Sequence, residues 1–235
     1  MGVIVPAVLP TSRHDLEEKL RLLSGIADAV QIDAVDGHFA KPASWPYVSG
    51  GDFAELQTLP RLGEFSFEVD LMVEKPEEIA GAWIEKGASR ITVHAESTRF
   101  LAKTMESLEA EYGHDKGFAP ELLSFGLALN ATTDPALVAP FLHFVDYVQF
   151  MGIRTIGRQG EPFDAAVVER AKAMGRAHEE LSIQVDGGVS IATAPALLDA
   201  GVDRLVVGSA LWRAPDLKAA YDALVALTER YGLYE

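Results

Sequence analysis

Residues able to do chemistry gather in a few short stretches: Gln31-Ile-Asp33 with Asp36 and His38 just beyond, Asp70-Leu-Met72, His94, Asn130, Met151, Asp186-Gly187-Gly188 and Gly208-Ser209. Gln31 and Asp33 stand two apart, so on a strand they project to one side. If their strands lie side by side, Asp33, Asp70 and Asp186 converge as reactive carboxylates at one mouth. The glycines suggest what they converge on. Asp186-Gly187-Gly188 followed about 20 residues later by Gly208-Ser209 offers backbone N–H groups and a helix start to a phosphate. A third glycine-bearing loop, Gly152 to Gly160, brings Gly157 and Gly160 to the same ligand and carries Arg154 and Arg158 as closing cations. Met72 joins this substrate-contacting set, with core packing as the alternative for it and for Met151.

These residues need elements that hold them together, and the chain supplies an alternation of short apolar runs and amphipathic stretches. Eight strands are expected: Val3–Leu9, Ala29–Asp33, Phe65–Val73, Arg90–His94, Leu122–Asn130, Phe144–Met151, Leu181–Asp186 and Arg204–Val207. Helices are expected at His14–Ser24, Phe53–Leu59, Pro76–Lys86, Arg99–Tyr112, Pro135–Leu142, Phe163–His178, Ile191–Ala200 and Leu217–Tyr231. Gly25, Gly87 and Gly201 each stop a helix and precede a small apolar residue, a polar pair and a strand. Their separations are about two and four units of roughly 30 residues, which suits a (β/α)8 TIM barrel. A doubly wound open sheet is the runner-up, but no GxGxxG follows the first strand. One domain over residues 1–235 is expected, with Gly37–Leu62 as its least regular segment.

Composition narrows the partners. With 35 acidic against 20 basic residues, the net charge of −15 argues against a nucleic-acid-binding face, though not against a small anion in a local pocket. Zero cysteines exclude disulfides and thiolate metal sites. The N-terminus has no basic signal-peptide region and no apolar run is long enough to cross a membrane, so a cytoplasmic location is expected. Other residues have plain structural roles open to them. Asp36 can cap its own loop, His94 is read as packed or hydrogen-bonded structure ahead of catalyst, and His14, His114, His143 and His178 as surface groups.

The segments Ile32-Asp-Ala-Val-Asp-Gly-His-Phe39, Glu68-Val-Asp-Leu-Met-Val73, Ile91-Thr-Val-His-Ala-Glu96, Gly126-Leu-Ala-Leu-Asn130, Val185-Asp-Gly-Gly-Val189 and Val207-Gly-Ser-Ala210 resemble, in order, those of the ribulose-phosphate 3-epimerase family. The resemblance implies 3-epimerisation of a ketopentose 5-phosphate through an enediolate, with Asp33 and Asp186 as the acid/base pair on opposite faces. It places phosphate on Gly187, Gly188, Gly208 and Ser209, and a metal beside the aspartates. Where the family has two metal-binding histidines, this chain has Gln31 and Asp70. The family's early serine is matched by Pro10, and the loop after the sixth strand departs from the family's Asn-Pro-Gly-Phe-Gly-Gly. A Gln31, Asp33, Asp70, Asp186 oxygen set suits Mg or Mn in place of Zn or Fe, with no metal as the other outcome. The expected function is an isomerase or epimerase of carbohydrate metabolism acting on a phosphorylated pentose or hexose ketose. The alternatives are a phosphosugar lyase or aldolase of the same barrel type and a non-catalytic phosphosugar-binding homologue. Barrels of this type often associate, which leaves a homo-oligomer open.

Overall fold

A computed structural model describes residues 2–48, 51–58, 62–113 and 123–232. Of the expected features, His114, Leu59, Leu122 and part of the Gly37–Leu62 segment lie outside the described residues. Eight parallel strands close a barrel in sequence order: β1 Val3–Val8, β2 Ala29–Val35, β3 Ser66–Met72, β4 Arg90–His94, β5 Ser124–Leu129, β6 Tyr147–Met151, β7 Ser182–Asp186 and β8 Arg204–Val207. This is the (β/α)8 barrel the strand count implied. The strand register sets Asp33 beside Asp70, Gln149 beside Gln184, Met151 beside Asp186 and Gln184 beside Arg204.

The helices are α1 Arg13–Leu23, α2 Ala80–Ile84, α3 Leu101–Tyr112, α4 Ala166–Ala177, α5 Ala194–Asp199, α6 Ser209–Trp212 and α7 Leu217–Gly232. The side chain of Ser12 accepts from the Asp15 N–H and caps α1, which buries Leu16, Leu20 and Leu23 at helical spacing. Each of those leucines contributes about 2 kcal/mol of apolar burial. Gly25, Gly87 and Gly201 have φ of +72°, +91° and +82°, the left-handed conformation expected of helix stops.

Three expected helices differ. Pro135–Phe141 winds as a 3-10 segment, because Pro140 inside it lacks the N–H that an α-helical bond to Ala136 requires. Pro76–Lys86 divides into a 3-10 turn at Pro76–Glu78 and the short α2, with Ile79 between the two pieces at φ −119°. Phe53–Thr58 is also 3-10.

Alternation along the strands separates two environments. Val30, Ile32, Val69, Leu71, Ile91, Val93, Val148, Phe150, Ile183 and Val185 join helix residues such as Leu16, Leu20, Ala171 and Leu197 in one apolar layer outside the barrel. The intervening positions, Gln31, Asp33, Glu68, Asp70, Thr92, His94, Gln149, Gln184 and Asp186, are buried and polar. Barrel interiors are ordinarily filled by branched aliphatic side chains. Here the inner apolar residues Val5, Ala7 and Val206 form only a small cluster.

Room for one large inner side chain comes from β5. A Cβ on Gly126 would stand 2.1 Å from the Tyr147 ring, whose hydroxyl is 2.7 Å from Thr92 Oγ1 and whose face carries the Arg90 guanidinium at 3.7 Å. Gly126→Ala is therefore expected to destabilise the barrel by roughly 1–3 kcal/mol through overpacking. A lower urea midpoint with an unchanged slope checks this, and an unchanged midpoint contradicts it.

Candidate active site

The ends of β2, β3 and β7 bring Asp33, Asp70 and Asp186 together, with a carboxylate oxygen from each within 4.8 Å of the others. All three are buried; Asp70 is fully enclosed, and Asp33 and Asp186 retain 6% and 8% exposure toward the mouth. Like charges this close repel, and burial removes the water that would soften the repulsion. The surrounding residues answer with donors. Gln31 Nε2 donates to Asp33 Oδ1 at 2.9 Å and to Asp186 Oδ2 at 2.8 Å, so one amide group bridges two carboxylates. Gln149 Nε2 donates to Asp70 Oδ2 at 3.0 Å, and His94 Nε2 lies 3.0 Å from Asp70 Oδ1.

Desolvation, reinforced by Asp186 and Asp70, holds Asp33 well above the ordinary carboxylate range. Asp186 is raised by desolvation and by Asp70 to about 7. For His94, burial opposes the charged form, yet the Asp70 carboxylate and its hydrogen bond raise the imidazole above its usual value. Its Nδ1 is buried without a hydrogen-bond partner among the described residues. His94 is thus tied to the aspartates as a hydrogen-bonded group, and Phe39 packs against its ring at 5.4 Å.

Above the carboxylates, the mouth is lined by Asp33, Met72, Met151, Gly157, Gly160, Asp186, Gly187, Gly188, Gly208 and Ser209, together with Ala7, Ile153, Arg158 and Gln159. Gln31 and Asp70 lie beneath it, fully buried. Gly187 and Gly188 have φ of +99° and +69°, and a Cβ on Gly188 would meet the Phe163 backbone at 2.8 Å. Only glycine adopts this backbone conformation in the space left there. Gly208 and Ser209 stand where β8 passes into α6, whose first N–H groups have no intrahelical acceptor.

The two loop cations separate. Arg158 reaches the mouth, with Nε 3.3 Å from the Lys41 carbonyl, whereas Arg154 is paired with Asp164 at 2.8 Å and mostly exposed. Gln159, which the motif reading passed over, sends Nε2 to the Ala7 carbonyl at 3.2 Å and packs over Gly208. Asp36 has the loop-capping role, accepting from the N–H groups of His38, Phe39 and Glu74. Asn130 accepts from Arg170 through its carbonyl, while its own Oδ1 is buried without a partner among the described residues. The inner residues Gln149, Gln184, Glu68 and Arg204 also went unread. The signal was present in the same two-residue alternation that linked Gln31 to Asp33.

The sequence model of the Ribulose-phosphate 3 epimerase family matches residues 3–212. The chain belongs to that family. It is 29% identical over 223 residues to ribulose-phosphate 3-epimerase of Bacillus subtilis (strain 168), covering 92% of this chain and 95% of the relative. To the Aquifex aeolicus (strain VF5) enzyme of the same name it is 25% identical over 232 residues, 97% of each chain. The barrel is also similar to a solved 3-hexulose-6-phosphate synthase, with TM-score 0.67 and 18% identity over 95% of this chain and 98% of that one. A second solved barrel, KGPDC from Streptococcus mutans, matches with TM-score 0.72 and 12% identity over 98% and 99% of the two chains. At these identities the two structures speak for the fold alone. Among the described residues no helix is long and apolar enough to cross a membrane.

The raised carboxyls carry a stability signature whose sign is fixed. A folded-state value above the unfolded one means that the native state holds its proton more tightly. The stability contributed is complete below about pH 4, near the unfolded values, and for Asp186 it is lost as pH rises through about 7. In chelator at pH 8, Asp186→Asn is expected to raise Tm by about 4 °C or more, because a buried charge is removed. Calorimetry at pH 8 and pH 4.5 checks this: a gain confined to the higher pH agrees, and equal Tm values at pH 8 contradict it.

Proposed function

We propose that this protein is an epimerase of a phosphorylated ketose, a pentose or hexose phosphate, working through an enediolate with Asp33 and Asp186 as its two proton-transfer groups. The observation that carries the proposal is the pair itself. Two carboxyls at the floor of the mouth, bridged by one amide and both shifted upward, favour a state near neutral pH in which one is ionised and the other protonated. Epimerisation needs that asymmetry. The ionised carboxylate takes the proton from the carbon beside the carbonyl, the electron pair passes into the enediolate, and the protonated partner returns a proton to the opposite face. After one turnover the two carboxyls have exchanged states, ready for the reverse direction.

Gly187, Gly188, Gly208 and Ser209 would hold the phosphate through backbone N–H groups, with Gly157 and Gly160 in the covering loop and Met72 and Met151 against the sugar carbons. A phosphate held there sits beside the aspartates, since the same mouth is lined by both sets. Arg158 adds a cation at the rim of an otherwise acidic protein. No lysine stands in any of the eight strands, which favours the epimerase over a lysine-dependent aldolase or other lyase.

Three converging carboxylates also fit a divalent cation, and their all-oxygen character suits magnesium or manganese better than zinc or iron. Asp33, Asp70 and Asp186 would hold it. Bound, such an ion supplies positive charge near the developing oxyanion. Gln31, expected as a fourth ligand, turns its nitrogen toward the aspartates while its oxygen accepts from Gln184 at 3.2 Å. It joins the ligand set only if that amide rotates.

Asp33→Asn and Asp186→Asn are each expected to lower kcat on ribulose 5-phosphate at least about 10³-fold while leaving inorganic phosphate affinity within about twofold. Turnover assays with and without chelator, Mg²⁺ or Mn²⁺, alongside phosphate titration, provide the check. Near-wild-type turnover in either variant would remove the two-aspartate mechanism. Phosphate binding without turnover of any ketose phosphate in the wild-type protein would favour the non-catalytic reading.

A further inference from the structure

Beneath the aspartates, toward the foot of the barrel, lies a second tier of buried polar groups. Its logic starts from arginine, because a guanidinium can only donate hydrogen bonds. Arg204 Nε donates to Gln184 Oε1 at 3.0 Å, and Arg90 Nη2 reaches the same oxygen at 3.4 Å. Both arginines also face Glu68 Oε2, at 2.8 Å from Arg204 and 3.0 Å from Arg90, so one carboxylate is shared between two guanidinium groups.

With its oxygen committed below, Gln184 must turn its nitrogen upward. Gln184 Nε2 lies 2.8 Å from Gln149 Oε1, 3.2 Å from Gln31 Oε1 and 3.3 Å from Glu68 Oε1. The next two amides then have their oxygens committed in turn, and each presents its nitrogen to the carboxylates: Gln31 to Asp33 and Asp186, Gln149 to Asp70. Reversing Gln184 would set its N–H groups against the guanidinium. Reversing Gln31 or Gln149 would place N–H against N–H below and oxygen against carboxylate above. One donor-only group at the bottom therefore propagates a single orientation through three amides to all three aspartates.

We infer that Arg204 and Gln184 are positioning residues for the aspartate site: they hold Gln31 and Gln149 with N–H toward the carboxylates and withhold the Gln31 oxygen from a cation. The orientation stands on hydrogen-bond geometry alone, whereas its effect on turnover rests on the epimerase proposal. In the wild-type protein the carboxylates are compensated by neutral donors, and any cation is held by the aspartates without the amide. Removing the Gln184 donor frees Gln31 to turn and add its oxygen.

The test is through-hydrogen-bond NMR on the metal-free, 13C,15N-labelled full chain. Couplings are expected from Gln31 Nε2 to the carboxyl carbons of Asp33 and Asp186, and from Gln149 Nε2 to that of Asp70. Arg204→Lys, which still donates, should retain them; Gln184→Leu should lose those of Gln31 once Mg²⁺ is added. Titration with Mn²⁺, read by electron paramagnetic resonance, should give at least a threefold lower Kd in Gln184→Leu than in wild type. Adding Gln31→Leu should cancel that gain. In the assay with ribulose 5-phosphate, Gln184→Leu should lower kcat about tenfold and leave KM within about twofold.

Absence of the Gln31 couplings in the wild-type protein, a measurement that needs no variant to fold, would overturn the inference. So would their persistence in Gln184→Leu once Mg²⁺ is added, an unchanged Mn²⁺ affinity after they are lost, or a gain that survives removal of Gln31. Couplings present in a wild-type protein that turns over no ketose phosphate would uphold the orientation and defeat the epimerase reading alone.

Discussion

Three carboxylates crowded at the floor of the barrel's mouth impose the condition that the interior must meet. Asp33, Asp70 and Asp186 each bring an oxygen within 4.8 Å of the others, in a space nearly cut off from water. Such a group cannot carry three uncompensated charges. Relief comes from protons, donors or a cation, and the site is arranged for all three. Burial raises Asp33 and Asp186 so that they retain protons; Gln31, Gln149 and His94 supply hydrogen-bonding groups; and the oxygen set suits a hard divalent ion. The property that makes the cluster unfavourable for folding also raises the affinity of Asp33 and Asp186 for protons.

That condition explains why the interior departs from an ordinary aliphatic filling. Amides at Gln31, Gln149 and Gln184, the Glu68 carboxylate and two arginines occupy positions where valine or isoleucine would normally pack. Buried polar groups are tolerated when they are hydrogen-bonded, and these form a connected set from Arg204 to the aspartates, with Arg90 Nε left without a hydrogen-bond partner among the described residues. Stability is left to the apolar layer between strands and helices, where Leu16, Leu20, Ala171 and Leu197 pack against the strands' outer faces. Gly187–Gly188 and Gly208–Ser209 turn at the mouth above this interior.

Much of this was legible in the residues. The glycine stops at 25, 87 and 201 marked the barrel's repeat, and their positive φ values match that reading. Period-two alternation placed Gln31 with Asp33, and the Gly-Gly and Gly-Ser turns reach one mouth with Asp33 and Asp186. The second tier was harder to read because its bonds cross the barrel: Gln31 meets Asp186 155 positions away, and Arg204 meets Glu68 136 away. No local window contains both partners. Gln149 and Gln184 each stand two before a mouth residue, a cue that gains meaning once β6 and β7 are known to be paired. The 3-10 winding at Pro135–Phe141 came from Pro140, a local constraint that the amphipathic pattern masked.

The most direct test of the two-aspartate account follows the proton from each face separately. With the two epimers of the ketose 5-phosphate offered one at a time in heavy water, Asp33→Asn and Asp186→Asn should each lose exchange of the C3 proton for one epimer and keep it, at least in part, for the other. The two variants should show opposite preferences, because each retains the base for one face. Exchange of both epimers at wild-type rates in either variant, or the same preference in both, would contradict the assignment of one aspartate to each face.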